Sequence, residues 1–236
     1  MSIRNGKDYL YLIWKCPTNR RQYIVGQLIK NGKYEFQYCE EIEEAKKEGF
    51  TLLVSFEDLD RTYECDELFP VFSSRLPDKK RKDIQKILEK YGLEEYNSYE
   101  LLKRSGARLP IDNLHFIDPI LDIKGAFRKT FFVAGARHYL GCEGRECDKA
   151  IPIEEGDEIF LIHENNLHDK NAVRLVNKQQ HTVGYIPRYY SEAFVKFIDE
   201  NRIGRCFVEK IDKENSCDEC IKATFEILNS QSNQSL

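Results

Sequence analysis

Three polar stretches in the second half of the chain carry residue types suited to an anionic ligand that also bears rings. They are Ala134-Gly135-Ala136-Arg137-His138-Tyr139, Asn165-Asn166-Leu167-His168-Asp169-Lys170-Asn171-Ala172 and Val183-Gly184-Tyr185-Ile186-Pro187-Arg188. Arg137, Lys170 and Arg188 supply cations for phosphate, the arginines with a forked geometry. His138, Tyr139, His168 and Tyr185 supply faces on which bases could stack, a contact worth about 1–3 kcal/mol per base. Asn165, Asn166 and Asp169 add amides and one carboxylate for hydrogen bonding. Simpler uses exist for some of these residues. Asp169 and Asn171 can shape a turn by bonding nearby backbone, and Tyr139 can belong to a core. His163, His168 and Asp169 form the one cluster that would suit a metal-dependent nuclease or other hydrolase.

These stretches fall at the ends of elements. Thr130 to Ala134, Glu158 to His163, Ala172 to Val176, Thr182 to Ile186, Arg205 to Ile211 and Lys222 to Leu228 have the apolar and β-branched character of short strands. One helix, Tyr189 to Asn201, interrupts them, with Tyr190, Phe194, Phe197 and Ile198 on its inner face. Six short strands around a helix imply a small antiparallel barrel or sandwich. Loops at strand ends are where such scaffolds display function.

The first half has a different grammar. Tyr9 to Trp14 is a strand, and Tyr23 to Ile29 and Tyr34 to Tyr38 flank Asn31-Gly32, a strong hairpin signal. Helices are expected at Glu40 to Glu48, Asp78 to Tyr91 and Ser98 to Arg104, and a further strand at Leu52 to Phe56. Lys79, Lys80, Arg81 and Lys82 suit a solvated first turn better than a phosphate site. The pattern weakens between Phe116 and Phe127, so the chain divides into an α+β domain over residues 1–120 and a mainly β domain over 121–236.

The whole chain has 236 residues, with 36 Lys and Arg against 40 Asp and Glu. That balance excludes a protein that coats nucleic acid by bulk charge. No apolar run reaches the roughly 18–20 residues of a membrane span, and Lys15 breaks the first apolar stretch, so no export signal is read and a cytoplasmic location is expected. The eight cysteines are then expected to be reduced. Cys142-x4-Cys147 and Cys217-x2-Cys220 are the candidate ligands of a structural zinc, with free thiols and no cofactor as the default.

The three polar stretches resemble the HIRAN domain, most specifically in Asp169-Lys170-Asn171-Ala172 after two asparagines and in the Val183-Gly184-Tyr185 turn. The resemblance spans roughly Thr130 to Leu228. HIRAN domains accompany DNA-remodelling helicases and also occur as small prokaryotic proteins. In fork-remodelling members, an OB-like β-barrel binds the 3′ end of single-stranded DNA. The resemblance implies that Arg137 contacts a phosphate, Tyr139 stacks on a terminal base and Asp169 accepts from a free 3′-hydroxyl. It also implies strand contacts for Asn165, Asn166, Tyr185 and Arg188. Two positions depart from the family, His138 and His168, where aromatic residues with larger faces are usual. The domain is also slightly acidic, with 15 Lys and Arg against 18 Asp and Glu over residues 126–236.

Arg21 to Tyr38, Leu68 to Pro77 and Gly106 to Pro110 resemble the N-terminal subdomain of HipA-type toxin kinases. No Gly-rich nucleotide loop, catalytic-loop pattern or metal-binding Asp motif accompanies them in this chain. The resemblance therefore implies a non-enzymatic regulatory module with a protein partner, beside a domain that binds single-stranded DNA. A scaffold without DNA binding is the alternative. With free thiols as the default, elemental analysis of the purified protein is expected to return no zinc. One equivalent per chain would assign the paired cysteines to a metal.

Overall fold

A computed structural model describes residues 2–122, 125–140, 153–165, 169–202, 204–216 and 218–227. The chain forms two units, Met1–Asp122 and Ile123–Leu236. The first is α+β and the second a mainly β, OB-like barrel, the expected class.

In the first unit an antiparallel sheet runs β1 (Ile3–Arg4), β2 (Lys7–Lys15), β3 (Gln22–Asn31), β4 (Lys33–Tyr38) and β5 (Tyr63–Cys65), and β6 (Leu114–Ile117) pairs with β2. The β3–β4 hairpin turns on Gly32 alone, at φ 72°, between the paired residues Asn31 and Lys33. Around the sheet lie α1 (Ile42–Lys47), α2 (Pro70–Ser73), α3 (Ile84–Lys90) and α4 (Ser98–Ser105). The α4 cap is Asn97: its side chain accepts the Glu100 N–H at 3.1 Å.

Two expectations fail here for identifiable reasons. Residues 78–83 form turns, so the expected Asp78 to Tyr91 helix is only Ile84–Lys90. Arg81 and Asp83 satisfy each other locally at 2.9 Å, in an exposed fork. Leu52 to Phe56 is a loop and not a strand. Its only fully buried member, Phe56, stacks on Phe36 with centroids 4.3 Å apart, whereas Val54 is 87% exposed. The buried Tyr38 hydroxyl holds this loop by donating to Phe56 O at 2.8 Å and accepting from Leu53 N at 3.0 Å. Phe36, Phe56, Phe72 and Phe116 then build the aromatic centre of the unit.

Arg75 ties the end of this unit to its middle. Its side chain is 8% exposed and makes a two-pronged contact with Asp112, at 2.5 and 2.9 Å. It also donates to Ala107 O at 3.0 Å and Leu114 O at 2.9 Å. Such a guanidinium is buried at acceptable cost only because its donors are used.

In the second unit six antiparallel strands follow the order β10 (Thr182–Tyr185), β9 (Ala172–Val176), β8 (Glu158–Glu164), β11 (Arg205–Ile211), β12 (Ile221–Ile227) and β7 (Phe127–Phe132). Beyond β7 the chain changes partner. Val133 N–H still bonds Ile221 O at 2.9 Å, but Ala134 and Tyr185 exchange backbone bonds, both at 2.8 Å. That bridge joins the two edge strands and closes the ring. The unit also holds α5 (Ala136–Tyr139) and α6 (Arg188–Asp199). From α6, Tyr190, Phe194 and Phe197 are buried, and Phe194 and Phe197 pack against Phe225 of β12. The expected strand end at Arg137 to Tyr139 is instead the single turn α5.

Arg75→Ala would strip Asp112 of its fork and leave two carbonyls short of a donor. Urea titration is expected to show a loss of about 2–4 kcal/mol, while the exposed Arg81→Ala leaves stability unchanged. Acid should weaken the same unit. Burial opposes ionisation of Asp112, but the Arg75 fork prevails and holds its carboxyl below the usual 3.8. Burial, aided by Arg108, Lys15 and Arg75, pushes the His115 imidazole well below 6.5. Both shifts favour the deprotonated form in the folded state. Stability is therefore full above pH 6.5, declines below it as His115 must charge, and falls again as Asp112 protonates below 3.8. A stability profile flat from pH 7 to 3 would contradict this.

Candidate nucleic-acid interface

The closing bridge places two of the polar stretches side by side. Gly184, buried at φ 153°, lies flat against the start of α5. A Cβ there would come within 2.5 Å of Val133 Cγ1 and 2.6 Å of Ala134 O, so only glycine permits the approach. β10 consequently carries a register irregularity between Thr182 and Gly184. The next residue, Tyr185, makes the bridge with its backbone and turns its side chain toward Tyr139.

The tyrosine rings are 5.8 Å apart at 53°, and their hydroxyls 3.5 Å apart. Tyr185 Oη donates to Glu164 Oε2 at 3.1 Å. Glu164 Oε1 lies 2.5 Å from Arg174 Nε, and Arg174 Nη1 donates to Thr182 Oγ1 at 3.3 Å. A chain of polar contacts thus runs Tyr139, Tyr185, Glu164, Arg174 across four elements, from α5 over β10 to β8 and β9. Burial, then the Tyr139 hydroxyl and the Glu164 carboxylate, raise the Tyr185 phenol above its usual range, so it remains a donor.

Tyr139 itself is 46% exposed, which answers the alternative that it is core. On the same turn His138 is exposed, and Arg137, half-buried, donates from Nε to His138 Nε2 at 3.2 Å. That bond requires the imidazole proton on Nδ1 when the ring is neutral. Arg137, His138, Tyr139 and Tyr185 therefore form one surface with one arginine cation and three rings.

The Asn165 to Ala172 stretch is the β8–β9 connection. Asn165 is exposed at the end of β8, and Asn166 and His168 lie outside the described residues. Asp169 Oδ1 accepts the Asn171 N–H at 2.9 Å, so this carboxylate shapes its own turn whatever else it contacts. Lys170 is exposed, and its carbonyl lies 3.0 Å from His163 Nε2. Because Glu164 pairs with Ala172, the loop springs from the position of the Glu164 carboxylate. Arg188 opens α6 and is half-buried, directly after buried Ile186 and Pro187.

Of the zinc candidates, Cys142, Cys147 and Cys217 lie outside the described residues, and Cys220 is buried. Among the described residues no group of three or more His, Cys, Asp or Glu is gathered as for a metal. No helix among them is long and apolar enough to cross a membrane. Glu164 and Arg174 are the members of the cluster that sequence reasoning missed. The signal was a lone arginine inside the otherwise apolar Ala172-Val173-Arg174-Leu175-Val176.

Residues 127–226 match the HIRAN domain. Residues 20–110 match the HipA N-terminal domain. HIRAN is a DNA-binding domain family. The crystal structure of the HIRAN domain of human HLTF is 18% identical, with a TM-score of 0.34, over 45% of this chain and 78% of that one. The crystal structure of a protein from Lactobacillus plantarum is 19% identical, with a TM-score of 0.33, over 44% of this chain and 99% of that one. No curated protein matches the chain.

Within the second unit the close approach at Gly184 tests the construction of the site. Gly184→Ala is expected to destabilise the unit by about 2–4 kcal/mol in thermal or urea unfolding, through clash and a disfavoured φ. An alanine variant as stable as the parent would show that the bridge tolerates a side chain.

Proposed function

We propose that the protein is a non-enzymatic binder of single-stranded DNA ends, with the HIRAN unit as reader and the HipA-like unit as a docking element for a protein partner. The observation that carries this reading is the exposed surface of α5 and β10, where Arg137, His138, Tyr139 and Tyr185 stand together. An arginine fork beside stacking rings suits one or two nucleotides, and such a grip needs few phosphates. A net charge of −3 over residues 126–236 is compatible with that task, although it gives little long-range attraction.

Asp169 and Lys170, in the β8–β9 connection, are read as further contacts to the strand. A carboxylate there would favour a terminal hydroxyl over a terminal phosphate, by accepting from the one and repelling the other. The structural use of Asp169 Oδ1 in its turn supports a fixed orientation for that group.

Fluorescence anisotropy with short labelled strands tests the reading. A strand ending in a 3′-hydroxyl is expected to bind, and one ending in a 3′-phosphate to bind at least several-fold more weakly. Asp169→Ala should erase the difference. Arg137→Ala should weaken both strands alike and reduce the salt dependence by about one phosphate contact. Equal binding of both ends by the parent protein would remove the end-reading role, and absence of any binding at low salt would leave a scaffold.

A further inference from the structure

One charge pair in the cluster works against an anionic ligand. Arg174 is the register partner of Tyr185 in β10 and of Ile162 in β8, so it belongs to the same row as the tyrosine that closes the barrel. Its side chain is 29% exposed, although the Nε that faces Glu164 is itself buried. Yet its charge is cancelled by Glu164, equally exposed, at 2.5 Å. A carboxylate at the centre of a phosphate-binding face is a repulsive element unless it is held by a cation.

We propose that Glu164 is a built-in competitor for the strand: it occupies Arg174 in the free protein, and a backbone phosphate of the bound strand displaces it. The inference rests on reading this face as a nucleic-acid site. Carboxylate and phosphate present similar oxygen pairs to a guanidinium, so the exchange trades one charge-assisted pair for another. Glu164 is not orphaned by the trade, because its second oxygen keeps the Tyr185 hydroxyl at 3.1 Å. Arg174 likewise keeps Thr182 Oγ1. The device makes the surface selective: a small anion that cannot also stack on Tyr139 and Tyr185 gains too little to dislodge the carboxylate.

The sign of the effect separates this from a merely structural role. If Glu164 only positions Tyr185, Glu164→Gln weakens binding or leaves it unchanged. If Glu164 competes, the full chain carrying Glu164→Gln binds a short 3′-hydroxyl DNA strand about two- to fivefold more tightly. Its plot of log affinity against log salt also steepens by about 0.7, the contribution of one single-strand phosphate. Adding Arg174→Gln to that variant should cancel both gains. Glu164→Ala provides the same readout should the glutamine variant fail to fold, as judged by its unfolding transition. Wild-type binding that Glu164→Gln leaves unchanged or weakens overturns this inference alone. No binding by either protein at low salt overturns it together with the function on which it rests.

Discussion

Two backbone hydrogen bonds between Ala134 and Tyr185 decide the form of the second unit. An open six-stranded sheet would present two edges with unpaired N–H and C=O groups, and a curled sheet can hide both only by joining them. Here the joint is a single pair of residues. It is possible because Gly184 lets β10 lie against the chain leaving β7, and because Val133 and Ala134 face opposite edges in succession. The rest of the face follows. α5 starts two residues after Ala134, so the joint fixes where Arg137, His138 and Tyr139 stand. Tyr185 is itself half of the joint, so its ring and hydroxyl are aimed by the same two bonds.

The first unit solves a different problem with side chains. Its helices are short, and long loops run between them, so backbone ladders leave many carbonyls unpaired. Arg75 gathers Asp112 and the carbonyls of Ala107 and Leu114, and Tyr38 does the same for Leu53 and Phe56. Each such bond adds only about 1 kcal/mol net, but a buried group without its partner costs more than that, which makes these side chains hard to replace. Both lie in stretches matched to the HipA N-terminal domain, and their contacts explain them as architecture.

Most of the barrel was legible in the sequence because its strands are short, apolar and separated by polar turns. Each of the six expected strands appears within a few residues of its expected place, as does α6. What escaped was local geometry. A four-residue helix such as α5 has no periodicity to detect, and Arg137-His138-Tyr139 looks the same on a strand end. Leu52 to Phe56 has the apolar content of a strand, yet only Phe56 is fully buried and its ring alone anchors the loop. The helix before Tyr91 was shortened by a fork between Arg81 and Asp83 that offers the backbone an alternative to helix. In the site, Tyr139 and Tyr185 were readable as rings near strand ends. Their common carboxylate, Glu164, was not, because its importance lies in contacts between residues 21 apart in sequence.

The topology has a consequence for how the chain must be made. In each unit an early strand waits for the last one: β2 for β6, and β7 for β12. Hairpins such as β3–β4 and β8–β9 can form as soon as they are synthesised, since their partners are adjacent. Phe127 of β7, by contrast, pairs with Ile227, at the far end of the described chain. Such long-range pairing is slow, and it leaves the first strand of the barrel with an uncovered edge throughout translation of the second unit. The domain that presents the α5–β10 face is thus also the one whose assembly waits for its last strand, β12, to emerge.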